Sequence, residues 1–138
     1  MTKRRLFRGI ESLPPRGHAK AAGSDEHSEQ VTVCDALDAA GVCYFAVPNG
    51  ANVSKRERAK LVAEGLKAGV TDLVVIDPPP ARHGAPGVAL EMKRRKGGRL
   101  SKVQKGWGKK FEDRGWIWIV AKGADDAIYQ LRRLGYEI

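Results

Sequence analysis

Apolar and polar positions change period several times along the chain, and each change marks an element. Val33 and Leu37 recur one helical turn apart within a polar surround, which predicts a helix. Ser24 reads as its N-cap with Asp25 and Glu26 in the first turn, and Gly41 stops it after Ala40. Carried backwards, the stripe reaches Gln30 and Glu26, with Glu29 close beside it; plain N-terminal capping accounts for Glu26 without any chemistry. Cys43-Tyr44-Phe45-Ala46-Val47 is a continuous apolar run, expected as a short buried strand, and Pro48-Asn49-Gly50 ends it. Ser54 then caps a second helix, SKRERAKLVAEGLKAG, with Lys55, Arg56, Arg58 and Lys60 on its polar face and Leu61 and Leu66 marking an apolar side.

Next comes a pair of strand-length runs. Asp72 opens Leu73-Val74-Val75-Ile76, a Pro/Gly-rich turn spans Pro78 to Gly87, and Val88-Ala89-Leu90 runs into Glu91-Met92-Lys93. Two such runs about a turn predict a hairpin. A basic loop follows, with Arg94, Arg95, Lys96 and Arg99 around Gly97-Gly98. Ser101 caps a third helix through Lys110 to Arg114, on which Gln104, Trp107 and Phe111 share one face. The two aromatics are expected in the core. Trp116 to Val120 is unbroken apolar sequence, which predicts a central strand covered on both sides. A last helix runs from about Ala124 to Leu134, with Ile128 and Leu131 inward. The order helix, strand, helix, strand, strand, helix, strand, helix predicts a mixed α/β layer fold around a small sheet.

Composition adds a partner. At 138 residues the chain is long enough for one domain with a proper core. Residues 1–24 carry six Lys and Arg against one acid, broken by Pro14-Pro15, and read as a basic arm that contacts phosphate or serves as a plain leader. Over the whole chain 25 Lys and Arg against 16 Asp and Glu give +9, which points to a polyanion, most simply nucleic acid. No run reaches membrane-spanning length and no secretory leader is legible, so a cytoplasmic, membrane-free protein is expected. Cys34 and Cys43 with three scattered histidines make no zinc spacing; two reduced thiols are expected.

The hairpin concentrates the candidate chemistry. Glu91 and Lys93 lie two apart on one strand and share a face. If the strands pair, Asp72 lies near Glu91. Two close carboxylates repel unless a cation sits between them, and with backbone carbonyls and water they form the hard-oxygen set that Mg²⁺ prefers. A lysine beside them could steady charge on a phosphate or move a proton. On spacing alone, though, a solvated surface ion pair explains Glu91 and Lys93 more simply, because acid-x-Lys is a common tripeptide.

The balance changes when separate segments are read together. Glu26-His27-Ser28-Glu29-Gln30, Pro48-Asn49-Gly50, Leu66-Lys67-Ala68-Gly69-Val70-Thr71-Asp72-Leu73, Glu91-Met92-Lys93-Arg94, Gly97-Gly98-Arg99-Leu100-Ser101 with Gln104, Gly115, and Gly123-Ala124-Asp125-Asp126-Ala127 stand in order. As an ordered set they resemble the VRR-NUC domain, the compact virus-type branch of the PD-(D/E)XK nuclease superfamily. The resemblance covers roughly residues 25–138 and implies a restriction-endonuclease-like core. It implies that Asp72, Glu91 and the Met92 backbone carbonyl bind Mg²⁺, with Mn²⁺ as a substitute. Lys93 matches the motif lysine and Gln104 the glutamine after the basic loop, expected to orient Lys93 or the scissile phosphate. Glu26 matches the first-helix acid, with Glu29 as the alternative. Arg94, Arg95, Lys96, Arg99, Lys102, Lys67 and Asn49 become candidate DNA contacts. Thr71 departs from the family, which usually has proline there; proline makes no metal bond, so activity is expected to survive.

The resemblance implies a metal-dependent DNA endonuclease, structure-selective for branched DNA (a flap or Holliday junction), homodimeric, and of phage or prophage origin. A different class competes with it: a non-catalytic basic nucleic-acid-binding module of a phage replication or packaging complex, with no use for an aligned Asp72, Glu91 and Lys93. An RNA-directed role is weaker still, since no recognisable RNA-stacking motif of aromatic residues on a strand is present.

Overall fold

Asp25, not Ser24, starts the first helix in the computed structural model, which describes residues 25–48 and 52–138. Its carboxylate accepts from the Ser28 N–H at 2.7 Å, and α1 spans Glu26–Ala40 before Gly41 turns left-handed at φ 68°. Ser24, the basic arm and Asn49 lie outside the described residues. The remaining elements follow the expected order: β1 Tyr44–Ala46, α2 Lys55–Ala63, β2 Leu73–Val75, β3 Val88–Lys93, α3 Lys102–Asp113, β4 Ile117–Lys122 and α4 Ala124–Arg133.

The strands form one sheet in the order β1-β2-β3-β4, antiparallel except for the parallel β3–β4 pair. The expected hairpin is β2–β3, with Leu73 opposite Leu90 and Val75 opposite Val88. Strand alternation then sorts the side chains. Leu73, Val75, Val88, Leu90, Met92, Ile119 and Ala121 face a core shared with Val33 and Leu37 of α1 and Ala127 and Leu131 of α4. The opposite face carries Ala89, Glu91, Lys93 and Trp118 and meets α3. There Gly108 is required by contact: a Cβ would stand 2.3 Å from the Trp118 ring.

Several placements differ from expectation. β4 is an edge strand, not a central one. Its apolar run reflects α4 on one face and α3 on the other, and two-sided cover looks the same in sequence whether or not a strand is flanked on both edges. β1 is the other edge and is not buried, with Phe45 half exposed. No residue of α2 is buried; Leu61 and Leu66 are only half covered. Trp107 and Phe111 are half-buried and outside the main core. They pack with Trp116 in a satellite cluster, and the Trp107 indole N–H donates to the Ala68 carbonyl at 3.0 Å. That bond fixes the segment leading into Asp72. No disulfide joins the buried Cys34 and the exposed Cys43.

Candidate active site

β3 is buried at all six residues and ends in two charges, Glu91 at 2% exposure and Lys93 at 7%. Both point to the α3 face. Their charges meet each other: Lys93 Nζ lies 3.2 Å from Glu91 Oε1. Asp72 stands just before β2, its N–H on the Leu90 carbonyl at 3.1 Å. Its carboxylate then turns to the end of β3 and accepts from the Met92 N–H at 2.8 Å. In a strand the N–H and C=O of one residue point to the same side. The Met92 carbonyl therefore also faces the side of β2, beyond the point where β2 has ended.

Gln104 reaches the same place from α3, where the side chain it bonds is Glu91. Its Nε2 donates to Glu91 Oε1 at 2.6 Å, while its Oε1 accepts from the Ser101 N–H at 2.9 Å. Ser101 Oγ in turn accepts from the Gln104 N–H. This reciprocal capping box, legible as Ser-x-x-Gln, is the signal that sequence reading missed. It makes one side chain both the helix cap and the support of Glu91.

The cluster is electrostatically loaded. Burial above all, then the Asp72 charge, pushes the Glu91 carboxyl up to about 7, although Lys93 opposes the rise and Glu26 adds to it. Asp72 is also raised, chiefly by burial and further by Glu26, against the Met92 N–H and Lys93. So Glu26 is brought within electrostatic reach of both acids. Glu29 is not: buried against the loop after β3 and the start of α4, it is bonded to Arg95 and to the Ala124 N–H, which hold its carboxyl below the usual range. Three helix N-termini also gather here. α3 arrives through Gln104, α4 through the Gly123 N–H on the Lys93 carbonyl at 2.9 Å, and α1 through Glu26. Their dipoles favour an anion such as phosphate.

The donors fit a hard divalent cation. Among the described residues, both donors to Glu91 fall on Oε1, and the one to Asp72 falls on Oδ2. Each carboxylate thus keeps a second oxygen, and their shared excess of negative charge is what a cation would relieve. Among the described residues no three Asp, Glu, His or Cys side chains gather into a metal-holding group. The set is therefore two carboxylates completed by backbone oxygen and water, as Mg²⁺ commonly accepts.

Of the basic candidates, Arg94, Arg95, Lys96, Arg99, Lys102 and Lys67 are exposed, the Arg95 side chain at 45%. A depression of about 510 Å³ lined by Asp25, Arg94, Arg95 and Lys96 lies beside the cluster. Arg95 differs from its neighbours in being tied to Glu29 and Asp125.

A mixed four-stranded sheet flanked by four helices, in this element order, defines an α/β fold. A solved structure described as a VRR_NUC domain protein shares it, with a TM-score of 0.64 over 83% of this chain and 90% of that one at 22% sequence identity. No family model and no curated protein matches the sequence.

Proposed function

We propose that this chain is a divalent-metal-dependent nuclease that hydrolyses DNA phosphodiester bonds. The observation that carries the reading is the buried cluster at the end of β3, where Asp72 and Glu91 are held together at the cost of raised carboxyl pKa values, with Lys93 beside them. A fold gains nothing in stability from such a group, because buried like charges cost more than an apolar replacement. Strained, desolvated titrating groups collect at functional sites.

Asp72, Glu91 and the Met92 carbonyl would hold Mg²⁺ or Mn²⁺, with Glu26 reaching it directly or through water. Bound there, the ion would activate a water and offset phosphate charge. Lys93 positions the attacking water and steadies the charge that builds on the scissile phosphate. Gln104 keeps Glu91 in one rotamer by bonding its Oε1. Arg94, Lys96, Arg99, Lys102 and Lys67 contact the sugar-phosphate backbone, which gives affinity without sequence choice.

The same reading takes branched DNA as substrate and a homodimer as the working form, since a two-fold pair of sites can incise two strands at a junction. A panel of duplex, single strand, flap and four-way junction, each with and without Mg²⁺, tests it. Metal-dependent cutting strongest on the branched substrates is expected; metal-independent or absent cutting contradicts it. A monomer by light scattering at working concentration would contradict paired incision. The net charge of +9 favours a second reading, a non-catalytic basic nucleic-acid-binding module. That module would bind every member of the panel and cut none.

A further inference from the structure

By composition the loop after β3 is uniformly basic, yet its second arginine is built into the protein. Arg95 Nε donates to Glu29 Oε1 at 2.6 Å and Nη2 to Oε2 at 3.3 Å; Nη2 also reaches Asp125 Oδ2 at 3.3 Å. Glu29 is 7% exposed, so its charge depends on these partners and on the Ala124 N–H that it also accepts. The Arg95 stem lies on Gly123, where a Cβ would stand 2.7 Å from Arg95 Cγ at a backbone φ of +87°. Gly123 also donates its N–H to the carbonyl of Lys93. One arginine thus joins the end of β3, the first turn of α1 and the start of α4. Glu26 stands three residues before Glu29 on α1, and Lys93, the last residue of β3, two residues before Arg95.

We propose that the Glu29–Arg95 pair is a positioning clamp: it locks these three elements together, sets where Glu26 and Lys93 stand relative to Asp72 and Glu91, and withdraws Arg95 from phosphate binding. Arg95 is then a positioning residue inside a loop whose other cations face DNA. The catalytic consequence rests on the nuclease reading; the structural and binding consequences do not.

The test compares Arg95→Gln with Arg94→Gln. Duplex binding is measured against salt in EDTA, Mn²⁺ binding by calorimetry, and cleavage by steady-state kinetics. A residue that contacts one phosphate contributes about 0.9 to the slope of log K against log salt. Arg94→Gln is expected to lose about that much and Arg95→Gln none. Arg95→Gln is expected to weaken Mn²⁺ binding and to lower kcat by roughly 10- to 100-fold, the usual cost of losing an outer support of a metal site, with KM within about twofold. Glu29→Gln combined with Arg95→Gln should do no more harm than either alone. Should Arg95→Gln fail to fold, Arg95→Lys keeps the charge without the two-pronged bond and is expected to show the same pattern, smaller. A shallower salt slope with unchanged Mn²⁺ affinity in the Arg95 variant would overturn the clamp. If the unmodified protein cuts nothing while the slope and Mn²⁺ results hold, the nuclease reading falls and the clamp stands.

Discussion

Glu91 and Glu29 are buried acids, one just before the arginine loop in sequence and one bonded to it from α1, and their carboxyl pKa values move in opposite directions. Glu91 keeps its proton to about pH 7 in the folded chain, whereas an unfolded glutamate releases it near 4.5. Between those values the folded state holds a proton that the unfolded state has lost, so stability falls as pH rises. The loss is on the order of 3 kcal/mol at most, and Asp72 adds to it with the same sign. Urea midpoints in EDTA from pH 4.5 to 8 should fall accordingly, and Glu91→Gln should flatten the fall; a midpoint rising across that range would contradict the cluster's geometry. For Glu29, held below the usual range by Arg95 and the Ala124 N–H, the stabilisation is present above about pH 4.5 and lost on acidification below it. Glu29→Gln should therefore remove part of the acid-side transition. At this scale the sequence was informative where strand parity decides the matter: Asp72, Glu91 and Lys93 meet because side chains two apart share a face. It could not separate Glu26 from Glu29, because both fit the first turn of α1 and only the packing of α4 and Arg95 decides which is taken inward. Nor could it single out Arg95, whose neighbours Arg94 and Lys96 are also basic.

At the scale of elements, α3 sets the site as much as β3 does. Its N-terminus is pinned by the Ser101–Gln104 capping box and its middle by Gly108 against Trp118. Ser101→Ala removes one half of the box and should cost about 1 kcal/mol, read as a lower thermal midpoint. Gly108→Ala improves helix propensity yet places a methyl into the Trp118 ring. It should destabilise by roughly 1–3 kcal/mol and, by lifting α3, loosen Gln104 from Glu91; a stabilised Gly108→Ala protein would contradict this packing. Helices and strands were legible from period and caps, but their neighbours were not. Cys43 to Val47 and Trp116 to Val120 both read as interior strands, and both are edges. A run of apolar residues records what covers a strand above and below, not what pairs beside it. The α2 segment shows the converse, since a capped, periodic sequence formed a helix without a face to bury.

Across the whole molecule, helices cover both faces of the sheet and leave the end of β3 as the point where α1, α3 and α4 present their N-termini. Exposed cations surround that point, and the full chain carries +9. Affinity for duplex DNA should therefore fall steeply between about 50 and 200 mM salt, which fluorescence anisotropy would measure; salt-independent binding would contradict a phosphate-led interface. The alternation of elements disclosed this architecture in advance. An oligomeric state and a preferred form of nucleic acid are not written in the elements, because both depend on surfaces that no periodicity describes. The most direct measurement is nicking of supercoiled plasmid by purified protein with Mg²⁺, with EDTA, and with Lys93→Ala in place of the native residue. The account predicts nicking by the native protein only when Mg²⁺ is present, and a folded, DNA-binding Lys93→Ala protein that leaves the plasmid closed. Equal nicking by both proteins, or none by either, would contradict it.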